Sequence, residues 1–193
     1  MKSKRMDHID WSEHFYYDET SLSCLRWNRE VLAGKNYARV MYSLGDPAGS
    51  LTQKKTGKYW IIQCQGFLYQ ASRIVMRLHG KTIDDLVVDH EDGDSTLNKI
   101  NNLRAVSQMI NNRNKSPKNS HYGIFGVSFN VRNNNEYFRA FWKLEKGGSK
   151  NFSINKLGIM EAFKQAIVAR TDAIKRLNSE GMGYTERHAT NLT

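Results

Sequence analysis

Cysteine is nearly absent: Cys24 and Cys64 are the two in 193 residues, far apart and in no CxxC pair. That excludes a disulfide framework and a cysteine zinc site, and the expectation is two buried thiols in a reducing cytosol. Long apolar runs are missing too. No stretch approaches the roughly 18 apolar residues a membrane helix needs, and the opening MKSKRMDHIDWSEHFYYDE has no apolar core of a signal peptide. The expectation is a soluble, unexported chain with no membrane partner. No heptad seam is visible to supply a coiled-coil dimer, so a monomer is expected, with a dimer as the alternative. Acidic residues are in deficit, 19 Asp and Glu against 29 Lys and Arg, for a net charge of +10.

What is present suffices for a folded body. Hydrophobic residues make up 39% and charged residues 25%, too apolar a mixture for a disordered polymer. The length suits one large domain or two small ones, on a prior of about 100 to 200 residues each. The charge is unevenly split. Residues 1–103 carry 14 Lys and Arg against 13 Asp and Glu, a net +1, whereas residues 104–193 carry 15 against 6, a net +9. A surplus of that size in one half favours a polyanionic partner, because each neutralised phosphate releases condensed counterions. Charge alone does not make a site.

Strand and turn signals dominate the first part of the chain. Ser50 to Gln53, Tyr59 to Cys64 and Phe67 to Gln70 read as a β-meander, with turns at Lys54 to Lys58 and at Gln65-Gly66. Ile74, Val75 and Leu78 at helical spacing predict a short helix from Ser72, stopped by Gly80. Upstream, Trp27 is expected to anchor the segment from Thr20 to Val40. Leu86-Val87-Val88 predicts a strand running into Asp89-His90-Glu91-Asp92-Gly93-Asp94, and Leu103 to Val106 predicts a second strand. Ser107 is a fair N-cap for a helix through Asn112. Lys115 to His121 is the expected linker. From Gly123 to Phe152 three strands are predicted, with turns at Asn133-Asn134-Asn135 and Gly147-Gly148. A helix to Leu177 then carries Ile159, Phe163, Ala166, Ile167, Ile174 and Leu177 on one face, interrupted by Arg170, and the tail from Asn178 is expected to fray.

The segment DHEDGDSTLNKINNLRAVSQMINN, residues 89–112, carries the chemistry. Asn98, Asn102 and Asn111 follow His90 by 8, 12 and 21 residues. The Asp-His pair, the N-x-x-x-N-L-R run and the late Asn together resemble the HNH endonucleases of phage origin. The resemblance implies a ββα-metal unit in which His90 is the general base, and Asp89 and Asn111 hold Mg²⁺ or Mn²⁺. It makes Asn102 the residue that fixes the loop by backbone hydrogen bonds, with Asn98 steadying the same loop. These residue types suit the reaction. A carboxylate and an amide oxygen are hard donors, and an imidazole near neutrality can take a proton from water. Strand neighbours point to opposite faces, so Asp89 and His90 can flank one phosphate only if the strand ends or twists there. Asp92 and Asp94 lack the EF-hand spacing and terminal Glu and are read as loop-shaping acids. Related phage sequences often have a His where Ser72 stands. His79 is either a packing histidine or a neighbour of the site, while His8, His14, His121 and His188 have no partner pattern and are read as surface residues.

Residues 121–177, through YGIFGVSF, EYFRAFWK, KNFSINKLG and EAFKQAIVAR, resemble the three-stranded DNA-binding domain of the plant ethylene-response-factor class. The resemblance implies a sheet whose outer face enters the major groove of double-stranded DNA while a helix supports the inner face. Matched strand by strand, it places Ser128, Asn130 and Arg132, then Phe141 and Lys143, then Lys150 and Phe152 on the DNA side. Strand alternation agrees for the first strand and adds Arg139 to the same face as Phe141 and Lys143. By the same alternation Val127, Phe138, Ala140, Trp142 and Ile154 are expected to pack on Phe163, Ile167 and Ile174.

The expectation is therefore an α+β protein. Residues 1–114 would hold the β-meander and nuclease unit (core 86–114), 115–121 the linker, and 122–193 a three-stranded antiparallel sheet packed on one helix. Its expected activity is metal-dependent hydrolysis of DNA, of the homing type, nicking one strand in the cytoplasm of the host cell if phage-encoded. Two rivals stand beside it: a DNA-binding regulator whose nuclease unit has lost turnover, and an RNA-directed nuclease.

Overall fold

The computed structural model describes residues 8–34, 39–55, 57–114, 126–142 and 148–185. The fold is α+β, built from several small antiparallel sheets and α-helices. The chain divides into two compact units, residues 1–108 and 109–193. That division precedes the expected boundary at residue 114. The expected linker, Lys115 to His121, lies outside the described residues.

In the first unit β1 (Phe15–Tyr17) and β2 (Leu25–Trp27) form one hairpin, and β3 (Val31–Ala33) pairs with β4 (Arg39–Tyr42). The meander follows as β5 (Ser50–Lys54), β6 (Gly57–Cys64) and β7 (Phe67–Gln70), paired in that order. Its second turn uses Gln65 and Gly66, both with positive φ, the backbone that tight hairpins require. Helix α1 (Ala71–Leu78) buries Ala71, Ile74, Val75 and Met76. Then β8 (Val87–His90) and β9 (Leu103–Val106) form an antiparallel hairpin. One core unites these pieces, with Trp11, Phe15, Leu25, Trp27, Ile62, Ile74, Val75, Ile83 and Leu103 buried in it. Trp27 is a true anchor, lying between Phe15 and Tyr42 with ring centroids at 4.5 and 5.1 Å. Cys24 and Cys64 are both free and buried, and burial pushes their thiols up from the ordinary value.

The second unit takes in most of α2 (Gln108–Asn114), whose Ile110 lies so close to Gly183 that a Cβ there would meet it at 2.8 Å. Its sheet has the order β10 (Val127–Arg132), β11 (Asn135–Trp142), β12 (Gly148–Ser153). The β10–β11 turn places Asn133 and Asn134 at φ 50° and 60°, the left-handed pair of a two-residue hairpin turn, which Asn tolerates better than most residues. After the short α3 (Ile154–Leu157), α4 (Ile159–Ser179) covers one face of the sheet, burying Ala162, Ala166, Arg170, Ala173, Ile174 and Leu177. Two expectations are corrected here. Ile159, at the helix start, is 60% exposed, because the apolar stripe begins only at Ala162. The tail does not fray at Asn178: that amide bonds the backbone of Tyr184 both ways at 2.8 Å, and Tyr184 is buried beside Ile174 and Leu177.

Arg170 interrupts the stripe without leaving it. Its Nη1 donates to the Phe141 carbonyl at 2.6 Å, and its guanidinium lies 5.5 Å from the Tyr184 ring centroid. Burial pushes its pKa below the ordinary arginine value. Room for this side chain comes from Gly126, at φ 78°, where any Cβ would overlap the guanidinium.

Candidate functional site

Helix α1 delivers the hairpin. Arg73 donates to the carbonyls of Leu86 (3.1 Å) and Ile83 (3.3 Å), and Arg77 pairs with Asp84. The segment entering β8 is thereby tied to the helix, with fully buried Ile83 as its peg. The strand stops at His90, where the Gly93 amide donates back to the His90 carbonyl at 3.0 Å and Gly93 takes φ 81°. Asp89 and His90 thus sit at a strand end, 6% and 7% exposed.

Neither side chain is left alone there. The hairpin register sets Arg104 directly opposite Asp89, and its Nε and Nη2 both donate to Asp89 Oδ2, at 3.0 and 2.8 Å. A carboxylate this buried would be costly without such a counter-charge. His90 Nε2 lies 3.0 Å from Asn98 Oδ1, and Asn98 Nδ2 donates to the Ser23 carbonyl at 3.3 Å. Sequence reasoning missed both arrangements. The first was available as a cross-strand pair once the hairpin register is drawn; the second has no local signal.

The loop from Glu91 to Asn102 is stapled from within. Asn102 Oδ1 accepts from the Asp92 amide at 3.1 Å, and its Nδ2 donates to the Leu97 carbonyl at 2.9 Å and to Asp92 Oδ1 at 3.0 Å. Asp92 Oδ1 also accepts from the Asp94 amide at 2.8 Å, and Asp94 Oδ1 from the amide and hydroxyl of Thr96 at 2.9 and 2.7 Å. Those Thr96 bonds hold the Asp94 carboxyl below the usual carboxylate value. Both acids shape the loop. Ser95 anchors it to β6 by donating to the Lys58 carbonyl at 2.6 Å.

Asp89 offers a hard carboxylate oxygen, the kind of donor that Mg²⁺ or Mn²⁺ takes. Asn111 lies on α2, in the second unit. Among the described residues no group of three or more His, Cys, Asp or Glu is placed to hold a metal. His79 is a packing residue, its Nδ1 at 2.8 Å from the Val75 carbonyl and its ring edge-on to Tyr17. Ser72 is buried on α1. His8 is exposed, His14 lies 3.3 Å from Gln65 Nε2, and His121 and His188 lie outside the described residues.

In the second unit, register decides which residues face away from α4. Ser128 pairs with Arg139, and Arg139 with Asn151; Asn130 pairs with Tyr137, and Tyr137 with Ser153; Phe141 pairs with Ser149. Paired residues share a face, so Ser128, Asn130, Tyr137, Arg139, Phe141, Ser149, Asn151 and Ser153 form the side opposite the helix. Arg132 continues this side at the end of β10 and is exposed. Within it Asn130 Nδ2 donates to Ser128 Oγ at 2.9 Å, and Arg139 Nη2 to Ser149 Oγ at 3.1 Å.

The placement of Lys150 and Phe152 on that face is corrected. Lys150 pairs with Ala140 and Phe152 with Phe138, both of which face α4. Phe152 is buried with Phe138, Ala162 and Ala166, and Lys150 Nζ lies 5.4 Å from its ring centroid. The β12 residues that do face outward are Ser149, Asn151 and Ser153. Lys143 lies outside the described residues. Val127, Phe138 and Ala140 are buried on the helix side, with Phe129, Trp142, Ile154, Phe163 and Ile167 packed against them; Ile174 instead joins Leu177 and Tyr184.

No protein-family model, curated protein or solved structure matches the chain. Among the described residues no helix is long and apolar enough to cross a membrane.

Proposed function

We propose that the chain is a metal-dependent DNA endonuclease of the HNH class, with the sheet of its second unit as the surface that engages duplex DNA. The observation that carries this reading is the buried Asp89-His90 pair at a strand end. The imidazole is held by an amide, the carboxylate by a guanidinium, and the loop that follows is stapled by Asn102.

In this reading His90 takes a proton from the water that attacks phosphorus, and the P–O bond to the departing sugar oxygen breaks. Asp89 would offer the ion a carboxylate oxygen. A bound Mg²⁺ or Mn²⁺ supplies charge stabilisation on the phosphate and the leaving oxygen. Arg104 holds the Asp89 carboxylate in its buried place through two hydrogen bonds. One such centre per chain cuts one strand per binding event, so the product is a nick. The second unit contributes the basic field, with 14 Lys and Arg against 6 Asp and Glu over residues 109–193. Its outward face supplies Ser128, Asn130, Arg132, Arg139 and Phe141, extended by Tyr137 and Asn151, as hydrogen-bonding and stacking groups for base edges and phosphates.

Conversion of supercoiled plasmid to nicked circles tests this directly. Cleavage is expected with Mg²⁺ and not with EDTA, and His90→Ala should lower the rate about 10²- to 10⁴-fold. A His90→Ala protein that cuts like its parent would remove His90 as the base. DNA binding without any cutting by the parent would favour the regulator. Deleting residues 119–193 should abolish site preference and flatten the salt dependence of binding; unchanged specificity would refute the targeting role.

A further inference from the structure

Asn98 is buried beside His90, 1% exposed, and its two ends face different parts of the first unit. Nδ2 meets the backbone carbonyl of Ser23, 75 residues away in sequence, at 3.3 Å, and Oδ1 meets His90 Nε2 at 3.0 Å. A backbone carbonyl only accepts hydrogen bonds, so the end of Asn98 that faces Ser23 must be the amide nitrogen. The reverse orientation would set two lone-pair oxygens against each other in a place closed to water. With the nitrogen committed, Asn98 presents its oxygen to the ring, and an amide oxygen also only accepts. His90 Nε2 therefore carries a hydrogen, and in the neutral ring the lone pair is on Nδ1.

The far end of this relay is held by further hydrogen bonds. In the β1–β2 turn the Ser23 hydroxyl donates to the Ala48 carbonyl at 2.5 Å and the Ser21 hydroxyl to the Leu25 carbonyl at 2.8 Å. Cys24 holds a left-handed backbone at φ 61°, and its amide donates to the Ser21 carbonyl at 2.8 Å. The turn thus grips Asn98 through the Ser23 carbonyl. Resting on the nuclease reading above, we propose that Asn98 is a positioning residue that locks His90 in the Nε2–H tautomer, makes Nδ1 the nitrogen that receives the water's proton, and ties this choice to the Ser21–Cys24 turn. That gives the segment from Thr20 a task beyond framing the core.

The test is nitrogen NMR of the histidine rings in the full chain, free of metal and DNA, with His90 assigned by its loss in His90→Ala. The parent should show His90 with a hydrogen on Nε2 and an unprotonated Nδ1. Asn98→Ala should release the ring to a mixture of tautomers and lower kcat for plasmid nicking about 10- to 100-fold with little change in KM. Asn98→Asp keeps an acceptor for Nε2–H and loses the N–H that donates to the Ser23 carbonyl, so it should retain the parent tautomer where Ala does not. A purely packing role would make the two variants alike. Finding Nδ1–H as the neutral form of the parent overturns the proposal without reference to any variant, and so does an Asn98→Ala protein with the parent's tautomer. These readings need no cleavage, so they decide this proposal separately from the plasmid assay of His90→Ala, which decides the nuclease reading.

Discussion

The two units hold their polar residues in opposite ways. In the first, the candidate groups are restrained from the side by other polar groups: His90 by Asn98, Asp89 by Arg104, and the loop by Asn102. In the second, the row Ser128, Arg139 and Asn151 is placed by what lies behind it, where Phe138, Ala140 and Phe152 pack on Ala162 and Ala166 of α4. A group that moves protons needs its angle fixed to a fraction of an ångström. A surface that meets a long polyanion needs only to be presented, and several side chains share the task. The difference shows which kind of residue each unit can least afford to lose.

Phe138→Ala should produce the largest loss, about 3–5 kcal/mol of second-unit stability, read as a lower urea midpoint for that unit and weaker DNA binding. A loss under about 1 kcal/mol would mean the face is not held from behind. Asn102→Ala comes next, at about 0.5–1.5 kcal/mol, because it removes three hydrogen bonds that staple the loop. Thermal melting should show that loss while DNA affinity through the second unit stays at the parent level. An equal fall in affinity would erase the contrast between the units. Arg139→Ala should leave stability within about 0.5 kcal/mol and reduce the slope of log affinity against log salt by about 1.

The smallest effect concerns pH. Hydrogen bonds from the Thr20 amide, then the Arg26 side chain and the Thr20 hydroxyl, hold the Asp18 carboxyl at about 2, against an ordinary 3.8. A folded value below the unfolded one gives a contribution that is present above about pH 4 and disappears as pH falls toward 2. Asp18→Asn should lower the melting temperature slightly above about pH 4 and converge on the parent as pH falls toward 2, flattening that part of the profile. An unchanged acid limb would show that the β1–β2 turn, which also carries Ser23, is not tied by this carboxylate.

Much of the secondary structure was legible because its causes are local. Alternation marked the meander and the β10–β12 sheet, the Asn133-Asn134 pair marked a turn that needs left-handed backbone, and helical spacing marked α1 and α4. The spacing of His90, Asn98, Asn102 and Asn111 likewise made the candidate site visible before any fold was drawn. The resemblance misplaces the third strand of the second sheet by one residue: Lys150 and Phe152 pair with Ala140 and Phe138 and so face α4. In a strand a shift of one position exchanges the faces.

What the sequence determined by itself is therefore the inventory: which segments extend, which coil, and which side chains have the chemistry for proton transfer and hard-ion binding. The tertiary structure alone decided the partners, setting Arg104 against Asp89 across a hairpin and joining Asn98 to a turn 75 residues away. The physical reason is range. Backbone preference acts over a few residues, whereas a buried hydrogen bond is satisfied by whichever group the packed core brings within 3 Å or so, however distant in the chain.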